Sequence, residues 1–196
     1  MNRRTKSHAK KSRPLRHSIL VSCEGTTERT YLENLKRQRW KEGTVSIHIV
    51  NSTSSDLKSL VKQALYPTGD FTQRWIICDT DENEKHHNVL QSFLSKENAR
   101  AAITFPCFEY WITLHYTDYA YSQSCNEAKR QLRKHIPNYS KGKIPHDIIS
   151  YVDAARDREH KNPHRESNVL IPTKPSSGMA NFIDTIDELA QPNLSS

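Results

Sequence analysis

The run Ile19-Leu20-Val21-Ser22-Cys23 stops at Glu24-Gly25-Thr26-Thr27-Glu28, and Trp75-Ile76-Ile77-Cys78 stops in the same way at Asp79-Thr80-Asp81. A short apolar run is the sequence form of a parallel strand buried on both faces. Open α/β folds place their ligands just outside the carboxyl ends of such strands. Two acidic clusters far apart in sequence are therefore expected to meet at one edge of one sheet. Carboxylate oxygens are hard donors suited to Mg²⁺ or Mn²⁺, ions that in turn suit phosphate chemistry.

Outward from these runs, strands and helices alternate. His17 to Cys23 reads as the first strand. Thr26 or Thr27 is expected to cap a helix bearing Tyr31, Leu32 and Leu35, with Lys36, Arg37 and Arg39 toward its end, where the helix dipole favours cations. Thr44 to Val50 reads as a second strand, and the alternation of Val45, Ile47 and Ile49 with Ser46 and His48 suggests a half-exposed face or an edge position. Ser54, Ser55 and Asp56 offer caps for a helix with Leu57, Leu60, Val61, Ala64 and Leu65 on one side, ended by Pro67 and Gly69. Arg74 to Cys78 is the third strand and carries Asp79 and Asp81 into the next loop. Val89, Leu90, Phe93 and Leu94 mark a helix, and Arg100 to Phe105 a fourth strand broken by Pro106. The pattern predicts an α/β fold: a parallel sheet of about four strands, flanked by helices and joined by right-handed crossovers.

From Pro106 the character changes. Phe108, Trp111, Ile112 and Leu114 to Tyr116 predict an aromatic-rich helix that includes Glu109, and helical spacing recurs in 123–136, 145–158 and 178–190. A helical C-terminal part is expected. Residues 159–177 hold three prolines and much polarity, and read as a mobile loop or a contact surface.

Size and charge narrow the function classes. A chain of 196 residues is enough for one domain with a real core, here taken as 17–196. It has no apolar stretch of membrane-spanning length and no signal-peptide pattern, so a cytoplasmic protein without membrane association is expected. The four cysteines, Cys23, Cys78, Cys107 and Cys125, form no Cys-x-x-Cys pair and read as reduced thiols. The net charge of +7 is carried by the first 17 residues, which hold 7 of the 29 Lys and Arg and no acid. Residues 1–16 are read as a disordered basic tail in which Arg3, Arg4, Lys10, Lys11 and Arg13 are candidate nucleic-acid contacts; a solubilising terminus is the plainer alternative. His160 and His164 have helical zinc-ligand spacing, but Pro163 between them argues against the helix and nothing completes a site. Phe108, Trp111, Tyr116, Tyr119 and Tyr121 are more readily core than a base-stacking stripe.

The motifs Cys23-Glu24-Gly25 with Thr27-Glu28 and Tyr31-Leu32, Asp79-Thr80-Asp81, Pro106 to Trp111 with Leu114-His115-Tyr116, Tyr139 with Lys141, and Pro175-Ser176-Ser177-Gly178-Met179 occur in an order spanning about residues 18 to 190. In that order they resemble the RloB-like family, found with prokaryotic defence or restriction loci and related to the Toprim domain. The resemblance implies a Toprim-like sheet and a metal-dependent nuclease cutting DNA or RNA, tRNA included, as effector of an antiphage defence (abortive infection) system. It implies Glu24, Asp79 and Asp81 as ligands of Mg²⁺ (or Mn²⁺), with Glu28 and Glu109 as further catalytic acids. It also implies an ATPase partner, expected to be a separate subunit because the chain has no Gly-x-x-x-x-Gly-Lys-Ser/Thr element, and an oligomeric assembly. Lys141 and Lys143 join the tail as candidate nucleic-acid contacts.

Plainer readings stand beside these. Acids at strand ends also cap helices, and Glu28 suits the first turn of a helix electrostatically. Glu109 is open to pairing with a basic residue, and Lys141 to being an exposed loop lysine. The competing function is a non-catalytic Toprim-like module that binds an ATPase and nucleic acid.

Overall fold

β1 (His17–Cys23), buried from Ile19 onward, lies inside the sheet between β2 (Val45–Asn51) and β3 (Gln73–Asp79), and β4 (Ala99–Phe105) follows on the far side of β3. These four strands are parallel, with Ile19 opposite Ile47, Val21 opposite Trp75 and Ile77 opposite Ala102. The computed structural model describes residues 17–40, 45–51, 56–80, 84–118, 121–166 and 169–191. The basic tail with Arg3, Arg4, Lys10, Lys11 and Arg13 lies outside the described residues, as do Thr44, Ser54, Ser55, Asp81 and Tyr119.

The pleat sorts alternate residues to opposite faces. Ile76 and Cys78 pack with Leu57, Leu60 and Ala64 of α2 (Leu57–Leu65) and Leu90 and Phe93 of α3 (Glu84–Leu94). Trp75 and Ile77 face the larger cluster, built with α1 (Thr26–Arg39), α4 (Phe108–Thr113), α5 (Cys125–Leu132), α6 (Val152–His160) and α7 (Met179–Ala190). Phe182 of α7 stands edge-on to Trp75 at 5.0 Å and to Trp40 at 6.0 Å. Each such fully buried side chain contributes about 1.5–3 kcal/mol. The result is the α/β architecture expected, a mostly parallel sheet between helical layers, consistent with a Toprim-like fold. β2 takes the edge position suggested by its alternation.

Several local expectations give way to tertiary contacts. Neither threonine caps α1: the cap position belongs to Gly25, without a side-chain cap bond. Asp56 does cap α2, accepting from Ser59 N at 3.3 Å, but Leu65 at its end is 40% exposed. The aromatic helix closes at Thr113, and 114–116 form a turn. Segment 145–158 is a 3₁₀ turn over His146–Tyr151 that passes into α6.

Segment 159–177 is tied down at both ends. Glu159 is fully buried, and Ser176–Ser177 forms β5, antiparallel to β4. Glu159 accepts from Ser177 N at 2.9 Å and from the Tyr110 hydroxyl at 3.0 Å. Gly178, next in the chain, lies so close to β4 that a Cβ there would stand 2.7 Å from Ala102 Cα and 2.8 Å from Ile103 N. Only glycine lets α7 start against the strand.

Candidate active site

Glu24 N donates to Ile77 O at 3.1 Å, which extends the pairing of β1 with β3 one residue past the strand, and the Glu24 carboxylate accepts from Asp79 N at 3.3 Å. The two sequence-distant acid clusters thus meet at the carboxyl edge of adjacent strands. Asp79 continues the alternation of Trp75 and Ile77, so its side chain falls on the α1 side of the sheet. Glu28, in the first turn of α1, is 5% exposed, and its carboxylate lies back over Gly25, where a Cβ would overlap it. A Cβ at Gly25 would displace this carboxylate, the movable end of the Glu28 side chain, and the backbone angles of Gly25 are ordinary extended ones.

Glu109 enters from the first turn of α4, also buried. The Tyr139 hydroxyl donates to its Oε1 at 3.0 Å and lies 3.4 Å from Thr27 Oγ1, which in turn accepts from Gly142 N at 2.9 Å. With Tyr139 donating to Glu109, the Thr27 hydroxyl is left to donate to Tyr139. A small turn, closed by Lys143 N donating to Ser140 O at 2.9 Å and by Gly142 in the left-handed region (φ +80°), is thereby pinned to the start of α1. It carries Lys141, exposed yet near enough for its charge to act on Glu28. Among the described residues Glu109 therefore pairs with a tyrosine hydroxyl and not with a basic residue, and Thr27 fastens this turn instead of capping its helix.

The electrostatics of this group are unfavourable as it stands. Burial pushes Glu28 up to about 7; the charges of Glu24 and Glu109 add to this, while its own backbone N–H and Lys141 act against it. Asp79 is raised well above the usual carboxylate range, by burial first and then by Glu28, Glu24 and Glu109. Glu28 Oε2 and Asp79 Oδ1 are buried with no hydrogen-bond partner among the described residues. A buried unpaired acceptor costs about 1–3 kcal/mol, and more when charged. Two orphaned carboxylate oxygens amid like charges are a donor set that fits a hard divalent cation. Among the described residues no three His, Cys, Asp or Glu side chains form a ready ligand cluster, and Asp81, the third expected ligand, lies outside them.

Neighbouring groups are structural. His115 is buried, its Nδ1 donating to Trp111 O and its Nε2 accepting from the Tyr31 hydroxyl, both at 3.1 Å; burial lowers it to about 4 and keeps it neutral. His160 pairs with Asp184 at 2.7 Å, whereas His164 sits against Tyr121, so the two do not converge. Phe108 and Trp111 are core, and Tyr116 stacks on His135. All four cysteines are free. Cys125 donates to Pro106 O at 3.3 Å, and its hydrogen bond with Cys107 lowers its thiol while raising that of Cys107.

The model of a family described as RloB-like protein matches residues 19–186. The chain belongs to the RloB-like family. No curated protein and no solved structure matches it. Of the acids singled out in this RloB-like chain, Glu24, Glu28, Asp79 and Glu109 come together. The roles of Gly25, Thr27 and Gly142 were missed, because each depends on a contact that leaves no local mark. The one available signal was Gly25 itself, a glycine wedged between two acids.

Proposed function

We propose that this RloB-like protein is a metal-dependent nuclease hydrolysing phosphodiester bonds of DNA or RNA, the effector of an antiphage system that works with a separate ATPase subunit. The observation that carries this reading is the pair of buried, unpartnered oxygens on Glu28 and Asp79, set among four mutually repelling carboxylates at one sheet edge. Glu24 and Asp79, with Asp81 two residues on, are the proposed ligands of Mg²⁺ (or Mn²⁺), and Glu28 and Glu109 complete the anionic wall. Such an ion, when bound, polarises a phosphoryl oxygen and lowers the pKa of an attacking water. Glu24, anchored through Asp79 N, serves as ligand or general base. The Tyr139 hydroxyl fixes Glu109, and Lys141 offers a cation to the developing phosphate charge. Family membership supports the defence setting and the ATPase partner. No described helix is long and apolar enough to cross a membrane.

A second reading, a non-catalytic module that binds an ATPase and nucleic acid, is favoured by the hydrogen bonds that Glu24 and Glu109 already receive from the protein. Cleavage of mixed DNA and total RNA in Mg²⁺, Mn²⁺ or EDTA, with the ATPase partner retained, separates the two. Metal-dependent cutting lost in Glu24→Gln and in Asp79→Ala/Asp81→Ala is the expected result. Cutting that survives both substitutions refutes the site, and silence with the activated partner present favours the module.

A further inference from the structure

Residues 128–146 contain Lys129, Arg130, Arg133, Lys134, Lys141 and Lys143 and no Asp or Glu. Three arginines elsewhere in the helical layer are taken up by acids: Arg39 by Asp153 and Asp187, Arg156 by Asp184 and Asp187, Arg158 by Asp118. None of the six forms an ion pair with a carboxylate of the described residues. Ala128 and Leu132 turn one side of α5 into the core, which leaves Arg130 exposed on the helix and Arg133 and Lys134 exposed in the turn just after it, three and four residues on.

The chain links this surface to the carboxylate group. From α5 the chain runs through turns closed by His135 N and Ile136 N donating to Leu132 O, both at 2.9 Å, and by Tyr139 N donating to Ile136 O at 3.0 Å. Tyr139 is the residue whose hydroxyl holds Glu109. An aromatic step lies alongside: exposed His135 stacks on Tyr116, and Tyr151, 48% exposed, is 6.1 Å from Tyr116. Cations that follow a backbone and aromatic faces that take unpaired bases are the two ingredients of single-strand binding.

We infer that Arg130, Arg133, Lys134, Lys141 and Lys143 form a track on which the sugar-phosphate backbone of a single nucleic-acid strand lies as it approaches the carboxylate site. The identity of that site rests on the nuclease reading; the track itself is tested by binding. Full-length protein is titrated in EDTA with fluorescent single-stranded DNA and RNA oligonucleotides over a range of salt. Arg130→Ala/Arg133→Ala/Lys134→Ala is compared with Lys58→Ala/Lys62→Ala/Lys96→Ala, an equal charge change among exposed residues on and beside the helices of the opposite face.

Loss of three contacts at ~0.7 each flattens the slope of log K against log salt by about 2, and weakens binding on the order of 10²-fold at 0.1 M salt. The opposite-face variant keeps the wild-type slope. Lys141→Ala/Lys143→Ala, on the turn, flattens it by about 1.4 and serves if the α5 variant fails to fold. Equal slopes in all variants, or wild-type protein that binds neither strand at low salt, overturn the track. A flattened slope, with no metal-dependent cleavage in the separate assay that retains the activated ATPase partner, leaves the track standing and removes the nuclease; cleavage in that assay with unchanged slopes does the reverse. Any preference between the DNA and RNA arms identifies the strand.

Discussion

Replacing Glu28 by Gln should make the metal-free protein more stable, chiefly at neutral to alkaline pH. Glu28 is 5% exposed and its pKa is pushed to about 7 from an ordinary 4.5, by burial and then by its acidic neighbours. A shift of this size corresponds to about 3 kcal/mol of differential interaction between the protonated and ionised forms. Because the folded pKa is the raised one, the contribution of Glu28 to stability is complete below pH 4.5. It declines as pH rises through the interval up to about 7 and is lost above. Gln fills nearly the same space and never ionises. In EDTA at pH 8 the variant should therefore melt about 6–12 °C above wild type, at 2–4 °C per kcal/mol for a chain of this size. At pH 5 the gap should shrink to about 2–3 °C. Glu159, also pushed to about 7 by burial, is common to both proteins and drops out of the difference. Thermal melts by circular dichroism across this range are sufficient. A difference that does not change with pH, or a variant less stable than wild type at pH 8, refutes the argument. Millimolar Mg²⁺ at pH 8 should narrow the gap by stabilising wild type.

Gly178→Ala should destabilise the fold by about 1–3 kcal/mol, since the new Cβ meets the β4 backbone instead of a movable side chain; an unchanged melting temperature would contradict that packing. Tyr139→Phe removes the hydroxyl between Glu109 and Thr27 and should lower stability by about 1–3 kcal/mol, with loss of any cleavage; full activity would show that the turn needs no such fastening. Asp187 is partly buried, yet Arg39, Trp40 and Arg156 hold its carboxyl below the usual range. Asp187→Asn should thus be less stable than wild type by about 1–3 kcal/mol at pH 5–8, with the gap closing in melts as pH falls through the range where Asp187 protonates.

What the amino-acid sequence determined by itself is what depends on neighbours in the chain. Strands buried on both faces must be written as apolar runs, so β1, β3 and β4 were legible to within a residue or so, and the acids that end the first two were visible as groups the core cannot hold. The alternation in β2 placed it at an edge for the same reason. The tertiary structure alone decided the partners. Thr27 meets Tyr139 across 112 positions, Glu109 meets the same hydroxyl across 30, and Ser177 finds Glu159 across 18 and Thr104 across 73. A proline-rich segment read as a loop ends in a two-residue buried strand anchored on Glu159, and a threonine suited to capping holds a distant turn. Hydrogen bonds of this kind are chosen by which donor the fold brings within 3 Å of a buried acceptor, and that proximity has no period in the sequence.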